Sequence, residues 1–276
     1  MSNTGEALCG RLAVVTGGGG GIGGAVCHLL AEKGARVIVA GRTLETLEAV
    51  TAVLPARIPL DGISSVEQYS SLEHCVRGTS TTKPYKWTLV TATSVQNLFD
   101  NVKKLSQVPV SIVVNCVGHV DVQQPTAAET TENSFDRMVR VNFKGPFLVC
   151  RAAARVMLQA SVTDGAIVNV SSRAANDCLT GFSVYSACKA AVVSFTRCMA
   201  AELAKRHIRC NAVLPGLTET PPVLRMGDQR RNALCATIPV GRLASTREIA
   251  QVVAFLCSPE SSYVVGAAWV VAGGKQ

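Results

Sequence analysis

The sequence predicts a single α/β domain, a doubly wound parallel sheet flanked by helices. Three observations carry this. Apolar runs of strand length recur along the chain, segments of helical spacing alternate with them, and the first run opens directly into a glycine-rich loop. With 276 residues, 48% hydrophobic and 17% charged, the chain can bury one large core.

Residues 11–16, Arg-Leu-Ala-Val-Val-Thr, read as a buried strand that runs into Gly17-Gly-Gly-Gly-Gly21-Ile22-Gly23, and helical spacing follows over 24–33. Glycines let the backbone pass close to a pyrophosphate, whose charge then rests on free N–H groups at the helix start. Gly17, Gly21, Ile22 and Gly23 are therefore candidates for binding a dinucleotide. Residues 34–40 form a second apolar strand ending at Gly41-Arg42, and no residue over 37–44 is acidic. An acid at this strand end binds the ribose of NAD, whereas an arginine accommodates the 2′-phosphate of NADP. Arg42 thus favours NADP(H), with NAD(H) left open.

A helix follows from Leu44. Residues 56–61 and 87–90 could each supply the third strand, and an insertion falls within about 62–87, where the stretch Thr79-Ser-Thr-Thr-Lys-Pro84 is polar. If the strand ends at Asp61, that carboxylate reaches the adenine amine. Val95, Leu98, Phe99, Val102 and Leu105 mark a helix over 94–105. The next strand, 110–115, leads into Asn115-Cys-Val-Gly118, then a loop and a helix ending in Val141-Asn142-Phe-Lys-Gly145. Strands over 166–172, 209–214 and 264–271 complete the sheet, the second closing with Pro215-Gly216. Ligands of such sheets lie at the carboxyl ends of strands, where Gly17, Arg42, Asn115, Ser172 and Pro215 fall.

A helix over 184–206 puts Tyr185 and Lys189, four residues apart, on one face. A phenol with an ordinary pKa near ~10 is a poor acid/base at neutral pH, and an adjacent ammonium is expected to lower it. Ser172, thirteen residues before Tyr185, offers a hydroxyl for a substrate carbonyl. A core tyrosine beside a surface lysine is the bland alternative, and the neighbouring motifs weigh against it.

No stretch reaches the roughly 18 uninterrupted apolar residues of a membrane span. Residues 1–10 have neither a signal-peptide apolar core nor an Arg-rich presequence, so the cytoplasm or the mitochondrial matrix is expected. Eleven scattered cysteines without Cys-x-x-Cys spacing read as reduced core thiols, with none assigned to metal. A net charge of +8 suits an acidic partner or phosphorylated cofactor, while the lack of a basic run and the few aromatics argue against nucleic acid.

Thr16-Gly-x-x-x-Gly-Ile-Gly23, Asn115-x-x-Gly118, Asn142, Ser172, Tyr185-x-x-x-Lys189 and Pro215-Gly216 with Thr220 resemble, in order, the motifs of the short-chain dehydrogenase/reductase family. The resemblance covers nearly the whole chain. It implies a Rossmann-type fold and reversible hydride transfer between a nicotinamide cofactor and a carbonyl or secondary alcohol. Tyr185 would be the general acid, Lys189 would lower its pKa and bind the nicotinamide ribose, Ser172 would orient the carbonyl, and Asn142 would hold a water linking Lys189 to solvent. Asn115 and Gly118 would border the adenosine half, and Thr220 would face the nicotinamide amide, beside Pro215 and Gly216.

Residues 209–216, 238–243 and 252–257 look most like the type 8 group of 17-beta-hydroxysteroid dehydrogenases and its 3-oxoacyl-acyl-carrier-protein reductase relatives. This implies a 3-oxoacyl thioester on acyl carrier protein or coenzyme A as substrate, with a 17-beta-hydroxysteroid as the alternative. A non-catalytic NADPH-binding subunit is the alternative of another class. A homotetramer is implied, with the last strand and the Tyr185 helix near interfaces, or a mixed tetramer with a carbonyl-reductase subunit. The chain differs from the pattern at Cys116 and Val117, at Ala272 where an acid is usual, and at Arg42 where the type 8 group has an acid and uses NAD. Residues 221–237 are expected to cover the substrate. Lys205, Arg206, His207 and Arg209 are expected to form a positive surface beside the active-site mouth for an acidic carrier protein, although a helix dipole alone favours cations there.

Overall fold

In the computed structural model, which describes residues 7–54, 83–86, 91–120, 125–177 and 179–275, seven strands pair in parallel. They are β1 (Leu12–Thr16), β2 (Arg36–Gly41), β3 (Lys83–Lys86), β4 (Val110–Asn115), β5 (Gly165–Val170), β6 (Ile208–Pro215) and β7 (Ala268–Val271), in the order β3-β2-β1-β4-β5-β6-β7. The helices include α1 (Gly21–Glu32), α2 (Leu44–Ala52), α3 (Ala92–Leu105), α4 (Glu132–Val139), α5 (Gly145–Gln159), α6 (Ser183–Leu203), α7 (Pro221–Leu224), α8 (Asp228–Ala236) and α9 (Thr246–Cys257).

Alternation along each strand sorts the core into two layers. Leu12 and Val14 of β1 pack with Leu98 and Phe99 of α3, Val149 of α5 and Leu203 of α6. Ala13 and Val15 face the other way, onto Val26 and Leu30 of α1 and Val253 of α9. Covering both faces explains why the inner strands are apolar throughout rather than alternating. The strand order reverses between β1 and β4, and their carboxyl ends diverge there into a crevice.

Three elements differ from the sequence reading. The strand beside β2 is Lys83–Lys86, which overlaps the polar stretch read as insertion. It has a single neighbour, so it needs no apolar run, and an edge position tolerates Pro84. Asp61 and both stretches weighed for that strand lie outside the described residues. The helix expected to end at Gly145 instead passes through a π turn, Arg140–Lys144, and continues as α5. Finally, β7 spans only Ala268–Val271, because Gly266 takes φ 75° and its N–H goes to the Cys210 carbonyl.

At the amino ends of the strands, Arg209 is buried and donates to the Leu256 carbonyl at 2.7 Å, Ser258 carbonyl at 3.0 Å and Ser261 hydroxyl at 2.7 Å. Arg11 beside it donates to the Cys257 carbonyl and pairs with Asp164 at 2.9 Å. The two guanidinium groups clamp the end of α9 to the sheet. The nine described cysteines are free thiols, and Cys27, Cys150, Cys188, Cys210 and Cys257 are buried. Among the described residues, no helix is long and apolar enough to cross a membrane.

Candidate active site

The glycine loop links β1 to α1 under tight geometric limits. Gly17 takes φ 71°, and a Cβ there would meet the Cys116 carbonyl carbon at 2.8 Å. A Cβ on Gly23 would lie 2.1 Å from the Gly17 oxygen, so helix and loop touch backbone to backbone. Gly20 caps α1 without a side chain, and the first turn has no acidic residue. First-turn N–H groups lack an intrahelical partner, and here no side chain caps them. This cradle fits the pyrophosphate of a dinucleotide. Thr220 and Pro221 border it, 3.1 and 3.2 Å from a Cβ built on Gly21.

Arg42 follows β2 directly and is exposed, and among the described residues no carboxylate pairs with it. Its position beside the loop is fixed through Leu47, whose side chain would meet a Cβ on Gly41 at 2.9 Å and on Gly19 at 3.3 Å. Pro215 ends β6, and Gly216 donates to the Val271 carbonyl at 2.9 Å, with Ala272 filling the space where its Cβ would lie.

Ser172 ends the β5 segment and caps a short 3₁₀ turn, its hydroxyl accepting from the Ala174 N–H at 3.1 Å. An Arg173–Asp177 ion pair braces the same turn. Tyr185 and Lys189 occupy the first two turns of α6, as their spacing predicts, and Lys189 Nζ lies 5.7 Å from the Tyr185 ring centroid. Lys189 is buried, and its ammonium donates to the Val170 carbonyl at 3.1 Å and the Val117 carbonyl at 3.4 Å. Burial pushes its pKa down to about 8.

The phenol departs from the sequence reading. Burial pushes the Tyr185 pKa up, and the counteracting influence is a hydrogen bond with Ser172, not the ammonium. The reason is geometric: the Lys189 charge lies against the ring and is turned toward backbone carbonyls.

Asn142 sits on the π turn with its amide fully engaged. Its Nδ2 donates to the His119 carbonyl at 2.8 Å and the Met138 carbonyl at 3.1 Å, and its Oδ1 accepts from the His119 N–H at 2.9 Å. Such π turns concentrate at functional sites. Gly118 lies beside Lys189 and Asn142: a Cβ there would be 3.6 Å from Lys189 Nζ and 3.8 Å from Asn142 Oδ1.

The Asn115 side chain is buried and bonded within the core. Its Oδ1 accepts from the Thr16 hydroxyl at 3.0 Å, and its Nδ2 donates to Asn169 Oδ1 at 2.8 Å. Asn169 in turn donates to the Thr196 hydroxyl at 2.9 Å, and Thr196 to the Val192 carbonyl at 2.7 Å. A buried polar chain therefore runs from the strand before the glycine loop to the helix carrying Lys189. Sequence reasoning missed Asn169 and Thr196, although a polar residue in the middle of an apolar strand was a visible signal. The proposed carrier-docking cluster is also corrected. Arg209 is buried in the clamp, and Lys205, Arg206 and His207 lie beyond the far end of the 21-residue α6, about 30 Å from Tyr185 in the same subunit.

A family model described as enoyl-(acyl carrier protein) reductase matches residues 88–276, and one described as short chain dehydrogenase matches residues 11–63. The chain is 34% identical over 263 residues to a human (3R)-3-hydroxyacyl-CoA dehydrogenase, covering 95% of this chain and 94% of that one. It is 31% identical over 271 residues to the 3-oxoacyl-[acyl-carrier-protein] reductase FabG of Thermotoga maritima, covering 97% and 98%. A solved short chain dehydrogenase/reductase family protein superposes with a TM-score of 0.79 at 32% identity over 97% of this chain and 98% of that one. With matches of this extent joined to the glycine cradle and the Ser172, Tyr185 and Lys189 cluster, the chain belongs to the short-chain dehydrogenase/reductase family and is an oxidoreductase that uses a nicotinamide cofactor.

Proposed function

We propose that this oxidoreductase reduces the 3-oxo group of an acyl thioester with NADPH and runs the reverse reaction on the 3-hydroxyacyl thioester. The observation that carries the reaction type is the convergence of the Ser172 hydroxyl on the Tyr185 phenol, with Lys189 packed against the same ring. Two sets of relatives support the substrate, since the name (3R)-3-hydroxyacyl-CoA dehydrogenase and the name 3-oxoacyl-acyl-carrier-protein reductase describe one conversion in opposite senses.

The nicotinamide, when bound, supplies or accepts the hydride. The chain's own residues manage the proton. Ser172 holds the carbonyl oxygen beside the phenol, and the Tyr185 hydroxyl gives up its proton to that oxygen as negative charge develops. A phenol held above its ordinary pKa stays protonated at neutral pH, which is the state a donor needs. The Ser172 hydroxyl then stabilises the phenolate left behind, Lys189 braces the tyrosine from its ring face, and Asn142 holds the neighbouring loop at His119. Arg42, exposed and without a carboxylate partner among the described residues, receives the 2′-phosphate and sets the preference for NADPH.

We also propose a homotetramer. The half-exposed Trp269 and Val270 on β7 support an interface at that edge, and a monomeric mass at micromolar concentration would overturn it. The substrate reading is tested by following NADPH oxidation with acetoacetyl-CoA, estrone and small diketones. The thioester should give the highest kcat/KM. Faster turnover of estrone would favour the hydroxysteroid reading, and no turnover of any carbonyl by folded, NADPH-binding protein would favour a non-catalytic subunit.

A further inference from the structure

The segment between β6 and α9 is an excursion with both feet at the site end of the sheet. A bridge between Thr218 and Ala244 closes it, and the Val240 N–H donates to the Gly273 carbonyl at 3.1 Å. Between these anchors, α7 starts against the glycine cradle at Thr220 and Pro221, and no residue of α7 or α8 is buried. Leu224 is 51% exposed. The flap therefore starts beside the glycine cradle and keeps its side chains accessible.

Its charges are arranged against the needs of folding. Arg230 and Arg231 lie in the first turn and just beyond it in α8, where the helix dipole disfavours cations. Arg231 is compensated, pairing with Asp228 and donating to the Leu224 carbonyl at 3.3 Å and the Met226 carbonyl at 3.2 Å. Arg225 and Arg230 are exposed, and among the described residues neither has a carboxylate partner. Two free guanidinium groups on a flap beside the site call for an anion from outside the chain.

We infer that Arg225 and Arg230 on this flap hold the phosphate groups of coenzyme A, so that the substrate arrives as a free coenzyme A thioester. The inference rests on the thioester reading above. Guanidinium groups match phosphate oxygens in bidentate geometry, and coenzyme A presents a diphosphate and a 3′-phosphate at the far end of its arm. Two separate guanidinium groups suit the two anionic groups of coenzyme A, its diphosphate and its 3′-phosphate, better than the single phosphodiester on the arm of a carrier protein.

The test compares wild type with the double variant Arg225→Glu/Arg230→Glu on acetoacetyl-CoA and on S-acetoacetyl-N-acetylcysteamine, which has the same thioester and no phosphate. The variant should raise KM for acetoacetyl-CoA roughly tenfold at low salt, with kcat unchanged and the difference shrinking as salt is added. KM for the phosphate-free thioester and for NADPH should not move, and an unchanged NADPH constant reports an intact fold. Arg225→Gln/Arg230→Gln, which reverses no charge, should shift KM for acetoacetyl-CoA in the same direction by less. Equal effects on both thioesters, or none on either, would overturn the inference. So would an effect on acetoacetyl-acyl carrier protein with none on acetoacetyl-CoA. If wild type reduced neither thioester, the substrate reading itself would fall, a result distinct from reduction of both with no dependence on the arginines.

Discussion

Lys189 Nζ stands 5.7 Å from the Tyr185 ring centroid while it donates to the Val170 carbonyl at 3.1 Å, so the ammonium braces the tyrosine from its ring face. A second strut holds the same turn, the Ser171 hydroxyl donating to the Lys189 carbonyl at 2.8 Å. The charge is thus built into the sheet rather than carried on a free side chain.

Tyr185→Phe removes the transferable proton and little else. The rate of carbonyl reduction should fall by roughly 10²-fold or more, while NADPH affinity, read by fluorescence titration, stays close to wild type. Retention of more than about a tenth of the activity would assign the proton to another group.

Lys189→Met should separate stability from activity. The buried lysine has a pKa of about 8 against an ordinary 10.5, so the folded state binds the proton less well than the unfolded chain. Its charge therefore costs stability below pH 8, and that cost is relieved as pH rises from about 8 to 10.5. Methionine of similar volume should raise stability by on the order of 2 kcal/mol at pH 7, the gain fading toward pH 10.5 in urea titrations, while reduction is lost. A variant equally destabilised at every pH would show that the two carbonyl contacts outweigh the buried charge.

Much of this arrangement was legible in the chain, for identifiable reasons. Tyr185 and Lys189 share a helix face because of a fixed period, and the glycine loop announces itself because only glycine avoids the contacts seen at Gly17 and Gly23. Lys83–Lys86 was not legible, since an edge strand carries no apolar signature. The direction of the Tyr185 shift was also hidden, because it depends on where a four-carbon side chain finds its carbonyls. Arg206 misled because adjacency along the helix says nothing of the length separating its ends.

Arg42→Asp tests the cofactor preference. A charge-assisted contact to phosphate contributes on the order of 1.5–3 kcal/mol. The ratio of kcat/KM for NADPH over NADH should therefore fall by roughly tenfold or more. Equal use of both cofactors by wild type would reduce Arg42 to a solvated surface charge.

The chain of Thr16, Asn115, Asn169 and Thr196 predicts coupling between sites on different elements. Every donor in it points one way, from β1 through β4 and β5 to α6. Removing Asn169 leaves the Asn115 amide without its main acceptor and the Thr196 hydroxyl without its donor, each buried. An unmet buried polar group costs about 1–3 kcal/mol, so Asn169→Ala should destabilise by roughly 3 kcal/mol or more in urea titrations. Asn115→Ala should cost a similar amount. Because the two amides bond to one another, the double variant should cost less than the sum of the singles by about 1 kcal/mol or more. Simple additivity would mean that the residues act as separate packing elements and that no polar chain joins the glycine loop to the helix of Lys189.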